Sequence, residues 1–324
     1  MSTGQAQAAP HPAAVRGQVA AAVISTVAGG VGGPARGSGL ALFGPCGVTF
    51  SAGSVYVGDG LALRKINPRT DWLTTPAGNG ISGPIFDGLL ASRASILACS
   101  VAFDRAGNAV LPNELGNVIE VVAARTGTFY GKAMTAGHIY TVAGNGSHGF
   151  SGDGGPAIQA EFDNPAGTSV DGAGNLLIAD TGNDRVRVIA ARTGTFYGKA
   201  MTAGDIYTVA GGGSAALGDG GPATKARLFD PQNAAVDGAG NLLIADRLDE
   251  RIRVVAATSG TFYGQAMTAG DIYTVAGDGN SGFSGDGGPA TKAALQDPTS
   301  VASDRTGNLI IADSFNSRIR RVTG

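Results

Sequence analysis

Residues 165–190 read PAGTSVDGAGNLLIADTGNDRVRVIA. Three short runs rich in Val, Ile and Leu are divided by DGAG and TGND. No 3.6-residue apolar stripe persists across them, and β-branched residues cluster between Gly and Asp turns. The runs therefore read as strands, not helices. Asp171-Gly-Ala-Gly174 puts a glycine where a three-residue hairpin loop needs a left-handed residue. The chain continues through ARTGTFYGKAMTAG (191–204) into DIYTVAG (205–211), which supplies a fourth strand.

This unit is repeated. ARTGTFYGKAMTAG also stands at 124–137, and ATSGTFYGQAMTAG at 257–270, at spacings of 67 and 66 residues. The hairpin turn returns as Asp104-Arg-Ala-Gly107, Asp237-Gly-Ala-Gly240 and Asp304-Arg-Thr-Gly307. Five first strands can be followed: CGVTF from Cys46, CSVAFD from Cys99, then AGTSVD, QNAAVD and TSVASD. Four-stranded units of this size along one chain predict an all-β fold, a β-propeller of five blades by repeat count. Ala102, Ser169, Ala235 and Ala302 lie in the first strands, where blades converge on the axis and space is least. The propeller is assigned to residues 23–324, behind a flexible tail of residues 1–22. The fifth unit has only three strands before Gly324, and ISTVAGG at 24–30 differs from IYTVAGG at 206–212 at one position in seven. The N-terminal strand is expected to complete the last blade and close the ring, which removes open sheet edges.

Composition agrees and narrows the function classes. Gly supplies 54 of 324 residues, which fits many tight turns, and charged residues are only 15%. A net charge of −2 gives no general attraction to a phosphate backbone, so nucleic acid is not an expected partner. No run of 18 apolar residues provides a membrane span. The first 22 residues lack the basic and apolar regions of a signal peptide.

The pattern PxGxxxDGxGNLxIADxxNxRIRxV with a following TVAG resembles the NHL repeat, over roughly residues 23–324. It is clearest in GNLLIADTGNDRVRVI, GNLLIADRLDERIRVV and GNLIIADSFNSRIRRV. The chain is similar to bacterial NHL proteins with a GDGGPA insertion between blades, present here as SGDGGPAIQA, LGDGGPATKA and SGDGGPATKA. NHL propellers usually have six blades, against five counted here. The first unit departs from the pattern as GSVYVGDGLALRKI, and the second has Pro112 and Glu120 where the third has Ala179 and Arg187. The resemblance implies an interaction platform.

Candidate functional residues fall on the long fourth-to-first connections, since exposed loops on a rigid scaffold are the usual place for binding. They are His148, Phe150, Asp153, Asp219, Phe283 and Asp286. Pro156, Pro222 and Pro289 suit the first turn of a short helix, with Asp153, Asp219 and Asp286 just ahead, complementing its dipole. A Ca²⁺ site on these carboxylates is the less favoured reading, and no other cofactor is expected. The GTFYGKAMTAG segments are read as a loop copied with its blade, on the opposite face. Arg185/Arg187, Arg251/Arg253 and Arg318/Arg320 are expected to pair with Asp180, Asp246 and Asp313, not to form a basic patch. The GxGxxG matches at Gly144 and Gly277 open no helix in a βαβ unit. His11, His138 and His148 lie too far apart in the units to form a zinc site.

Cys46 and Cys99 enter the first strands of adjacent blades. Either they are two small buried thiols, or they form a disulfide if their Cα atoms lie within about 7 Å. A bond would argue for an extracellular, oxidising compartment, and free thiols for the cytoplasm. The leading functional expectation is a monomeric, non-enzymatic propeller that offers its long loops to a protein, peptide or glycan. The alternative is a lyase or hydrolase acting at the mouth of the central channel.

Overall fold

The computed structural model describes residues 42–84, 87–214 and 216–323. Five antiparallel sheets follow one another along the chain as the blades of a β-propeller. Blade 3 sets the pattern: Pro165–Val170, Leu176–Asp180, Arg185–Ile189 and Ile206–Gly211, paired in sequence order from the first strand outward. Blade 1 has the same order from Pro45–Ser51 to Trp72–Ala77, and blade 5 contributes Pro298–Ser303, Leu309–Asp313 and Arg318–Val322. The segment expected to complete blade 5, residues 24–30, and the tail of residues 1–22 lie outside the described residues.

The hairpin turns form as their sequences demand. Asp171 Oδ1 accepts the backbone N–H groups of Ala173 and Asn175, and Gly174 takes φ +91°. Asn175 then donates its side-chain amide to Asp171 Oδ2 and accepts the Ala191 N–H, which fastens the turn to the end of the third strand.

The second and third strands are buried on both sides because blades pack face to face. Leu177 and Val188 of blade 3 meet Ala234, Leu242, Ile244 and Ile272 of blade 4 in one apolar cluster. Each large side chain buried in this way contributes roughly 1.5–3 kcal/mol. The first strands approach most closely at glycine. A Cβ on Gly167 would lie 2.4 Å from the Gln232 carbonyl oxygen, and one on Gly47 would lie 2.1 Å from that of Cys99. Beside Gly47, Cys46 and Cys99 are joined in a disulfide with Cα atoms 4.9 Å apart, linking blade 1 to the entry of blade 2.

The GDGGPA loops of blades 3 and 4 guard outer strand edges. In blade 3, Gly154 donates its N–H to the Ile206 carbonyl, Gly155 accepts from Ile206, and Ala157 donates to Gly204. In blade 4 the loop makes a two-residue strand, Gly221–Pro222, on the outer side of Asp271–Ala276. These two loops thus cover donors and acceptors that an open edge would leave free. The short helix expected here is a single 3₁₀ turn, Ala157–Gln159, Ala223–Lys225 or Ala290–Lys292, with the proline standing just before it. The carboxylates ahead of it serve a different purpose from the dipole role expected.

Candidate functional site

The long loops meet the second-to-third-strand turns on one face of the disc. Asn183 and Asn316 donate side-chain amides to the carbonyls of Gly149 and Gly282, and the Leu248 and Phe315 N–H groups donate to Phe229 and Gln296. What anchors this face is a buried arginine. Arg187 has no exposed surface. Its guanidinium donates to Asp153 Oδ1 at 2.8 Å, to Asp180 Oδ2 at 3.3 Å, and to the carbonyls of Ser151 and Glu161 at 2.7 Å. Asp153 Oδ2 accepts the Thr208 N–H, so one carboxylate ties the loop to both the third and the fourth strand. A guanidinium suits this place because its five donors lie in a fixed fork that one loop can surround.

The clamp recurs. Arg253 binds Asp219 at 2.6 Å and Asp246 at 3.2 Å, and Arg320 binds Asp286 at 2.7 Å and Asp313 at 3.5 Å. Arg64 binds Asp59 at 2.9 Å in blade 1. The expected pairing with Asp180, Asp246 and Asp313 is present for Arg187, Arg253 and Arg320 only, with Asp153, Asp219 and Asp286 as second partners, whereas Arg251 and Arg318 donate to backbone carbonyls and Arg185 stacks on Phe150. Burial raises the Asp180 carboxyl to about 6 and that of Asp246 to about 7, outweighing the pull of their arginines.

Blade 2 is the exception. Glu120 stands at the arginine position and Asn113 at the aspartate position, joined by a 3.0 Å hydrogen bond from the Asn113 amide. Asp87, the counterpart of Asp153, accepts the Thr141 N–H and pairs with Lys132 at 2.9 Å. Burial, with Asp87 nearby, raises the Glu120 carboxyl to about 7 against the opposing Asn113 hydrogen bond.

The sequence-derived candidates are all drawn into this framework. Phe150 lies over the Arg185 guanidinium at 3.7 Å and Phe283 over that of Arg318 at 3.8 Å. His148 Nε2 lies 2.9 Å from Asp163 Oδ1. Asp153, Asp219 and Asp286 each face the arginine of their own blade. Among the described residues no three His, Cys, Asp or Glu side chains gather as a metal site. Phe150 and Phe283 nevertheless keep 40% and 44% of their surface exposed. They share the face with residues that sequence reasoning missed: Leu115 at 73% and Phe315 at 68% exposure, with Phe229 and Leu248 also in solvent. Leu115, Leu248 and Phe315 occupy one repeat position, the middle of the second-to-third-strand turn, where blade 3 has Gly182. An apolar residue at a turn position flanked by polar ones was the available signal.

The sequence profile of the NHL repeat matches residues 162–189, from Phe162 to the end of the third strand of blade 3. Blade 3 thus carries an NHL repeat, within a chain that folds as a β-propeller. Comparison with curated proteins finds no match. Among solved structures, this propeller is similar to a structural-genomics protein of unknown function from Bacteroides thetaiotaomicron. That match has 15% identity and a TM-score of 0.52, covering 92% of this chain and 74% of the other. It is also similar to a chain of the nidogen/laminin complex, with 14% identity and a TM-score of 0.50 over 86% and 74% of the two chains. Virginiamycin B lyase from Staphylococcus aureus gives 13% identity and a TM-score of 0.46 over 86% and 67%. At these identities the likeness is one of fold. Among the described residues no helix is long and apolar enough to cross a membrane.

Proposed function

We propose that this propeller is a binding module whose long-loop face receives a protein or peptide. The observation that carries the reading is the set of exposed apolar groups on that one face: Leu115, Phe150, Phe229, Leu248, Phe283 and Phe315. Apolar groups gathered on a rigid face, each rimmed by polar turn residues, mark interaction surfaces. The arginine clamps beneath hold the loops still, so little loop-ordering entropy opposes binding. A propeller of similar fold takes part in the nidogen/laminin complex. The disulfide between Cys46 and Cys99 supports an oxidising, extracellular setting. Free thiols in protein isolated from its own host under alkylating conditions would oppose that setting.

The test of the binding reading uses a random-peptide library panned on the intact chain. Enriched peptides are expected to carry aromatic or branched apolar residues. They should lose at least about tenfold in affinity when Leu115→Asp and Phe315→Asp are combined, since loss of one well-packed anchor removes about 1–2 kcal/mol or more. Peptides that bind the double variant equally well, or a library that yields no enrichment, would overturn the reading.

A further inference from the structure

The opposite face carries a second feature, independent of the loops. The segments between third and fourth strands fold as hairpins, Gly127–Phe129 with Lys132–Met134 and Gly194–Phe196 with Lys199–Met201. Tyr130 and Tyr197 bend back to donate their hydroxyls to Asp104 and Asp171, both at 2.8 Å. Each hairpin therefore stands beside the first turn of its own blade and leaves a cleft against the next. The cleft between blades 2 and 3 measures about 460 Å³, and that between blades 3 and 4 about 400 Å³.

The two clefts are built alike. One wall is aromatic, Phe129 with Tyr130 or Phe196 with Tyr197, and bears a threonine, Thr128 or Thr195. The facing wall is small, Gly174, Ala191 and Ala203 in one cleft and Gly240, Ala257 and Ala269 in the other. An aromatic plane opposite alanine and glycine is a slot for a ring. An arginine stacks on the aromatic wall residue of each cleft. Arg125 lies over Phe129 at 5.5 Å and Arg192 over Phe196 at 5.2 Å, both exposed and without a carboxylate partner among the described residues. The first cleft also has exposed Arg105, whose guanidinium is engaged by the Gly172 carbonyl. The local carboxylates, Asp104 and Asp171, are turned inward and occupied by turn amides and tyrosine hydroxyls.

We propose that these paired clefts bind an acidic polysaccharide, with one uronic acid ring in each. The C–H face of a sugar ring stacks on the aromatic wall, and the threonine hydroxyls meet its hydroxyls. Its carboxylate pairs with Arg125 or Arg192 in the bidentate manner that guanidinium favours. Two like slots in successive blades suit a ligand that itself repeats, which a folded protein surface does not. No binding role attaches here to Lys132 or Lys199, whose ammonium groups are spent on the carbonyls of Thr141 and Thr208.

The probe is an oligogalacturonate, titrated into the full chain by calorimetry beside the neutral galactose oligomer and a glutamate peptide of equal charge. Only the oligogalacturonate is expected to bind. Arg125→Ser with Arg192→Ser should weaken it at least tenfold and flatten its salt dependence. Ala203→Trp with Ala269→Trp should abolish it by filling both slots. Both alanines are exposed, and an unchanged melting temperature separates occlusion from misfolding. Leu115→Asp with Phe315→Asp should leave it intact, which separates this site from the long-loop face. Absence of binding, binding unmoved by the filled slots, or equal binding of the neutral oligomer or the peptide would each overturn the proposal.

Discussion

At the scale of the residue, blade 2 poses a sharper electrostatic problem than its neighbours. Arg187 and Arg253 are wholly buried, yet each is surrounded by carboxylates and carbonyls. Glu120 is as deeply placed, and its hydrogen-bond partner is an amide, not a cation. A carboxyl whose folded pKa is about 7 binds more protons in the native state than in the unfolded one, where its ordinary value is 4.5. Stability therefore falls as pH rises between those two values and stays low above the upper one. Glu120→Gln keeps an acceptor for the Asn113 amide and cannot ionise. It should raise urea stability by about 2–3 kcal/mol more at pH 8 than at pH 5, since each tenfold difference in proton affinity between folded and unfolded states is worth about 1.4 kcal/mol. A gain that is the same at both pH values would show that the carboxyl does not titrate between them.

At the scale of the element, the thrice-repeated hairpin shows a local oddity with a tertiary cause. Tyr130, Tyr197 and Tyr263 all have φ near +50°, where a bulky side chain is seldom found. The two central residues of this tight hairpin both need positive φ, and glycine fills only the second place. Tyrosine holds the first because its hydroxyl reaches the aspartate of the blade's first turn, at 2.8 Å in two copies and 2.7 Å in the third. Tyr197→Phe should cost about 1.5–3 kcal/mol in urea unfolding, the worth of a hydrogen bond to a charged group. Paired with Asp171→Asn in a double-mutant cycle, it should be clearly non-additive. Additive losses would mean that the hydroxyl bond does not hold the hairpin. Sequence reading found the blade strands and their Asp–Gly turns, because these rest on periodicity and on glycine within a few residues, but it read the thrice-repeated segment as a loop where a hairpin forms. It misassigned Asp153, whose partner Arg187 lies 34 residues ahead and is brought near only by the folded blade. It also passed over Arg64, because blade 1 joins its second and third strands with a shorter turn, Asp59 to Leu63, and the spacing that marks the other arginines is lost.

For the molecule as a whole, what matters is how the last sheet ends. The Arg318–Val322 strand is the outermost described strand of blade 5, and Ile319 on it is exposed. Among the described residues, a groove of about 1130 Å³ runs beside this strand, walled on its other side by the Pro289–Ala293 loop. In blades 3 and 4 the same place between loop and third strand is filled by Ile206–Gly211 and Asp271–Ala276. An edge of this length, with apolar side chains beside it, invites pairing with another chain unless a fourth strand covers it. The sequence at 24–30 repeats that of 206–212 at all but the second position, so it carries the side chains that this place selects. Deleting residues 1–30 is therefore expected to convert a monomer into concentration-dependent oligomers in light scattering and to lower the melting temperature. A synthetic ISTVAGG peptide added in excess should partly restore both. Ser25→Tyr in the full chain, which completes the match to blade 3, should leave it monomeric and no less stable. A truncated protein that stays monomeric with an unchanged melting temperature would show that blade 5 needs no strand from the start of the chain.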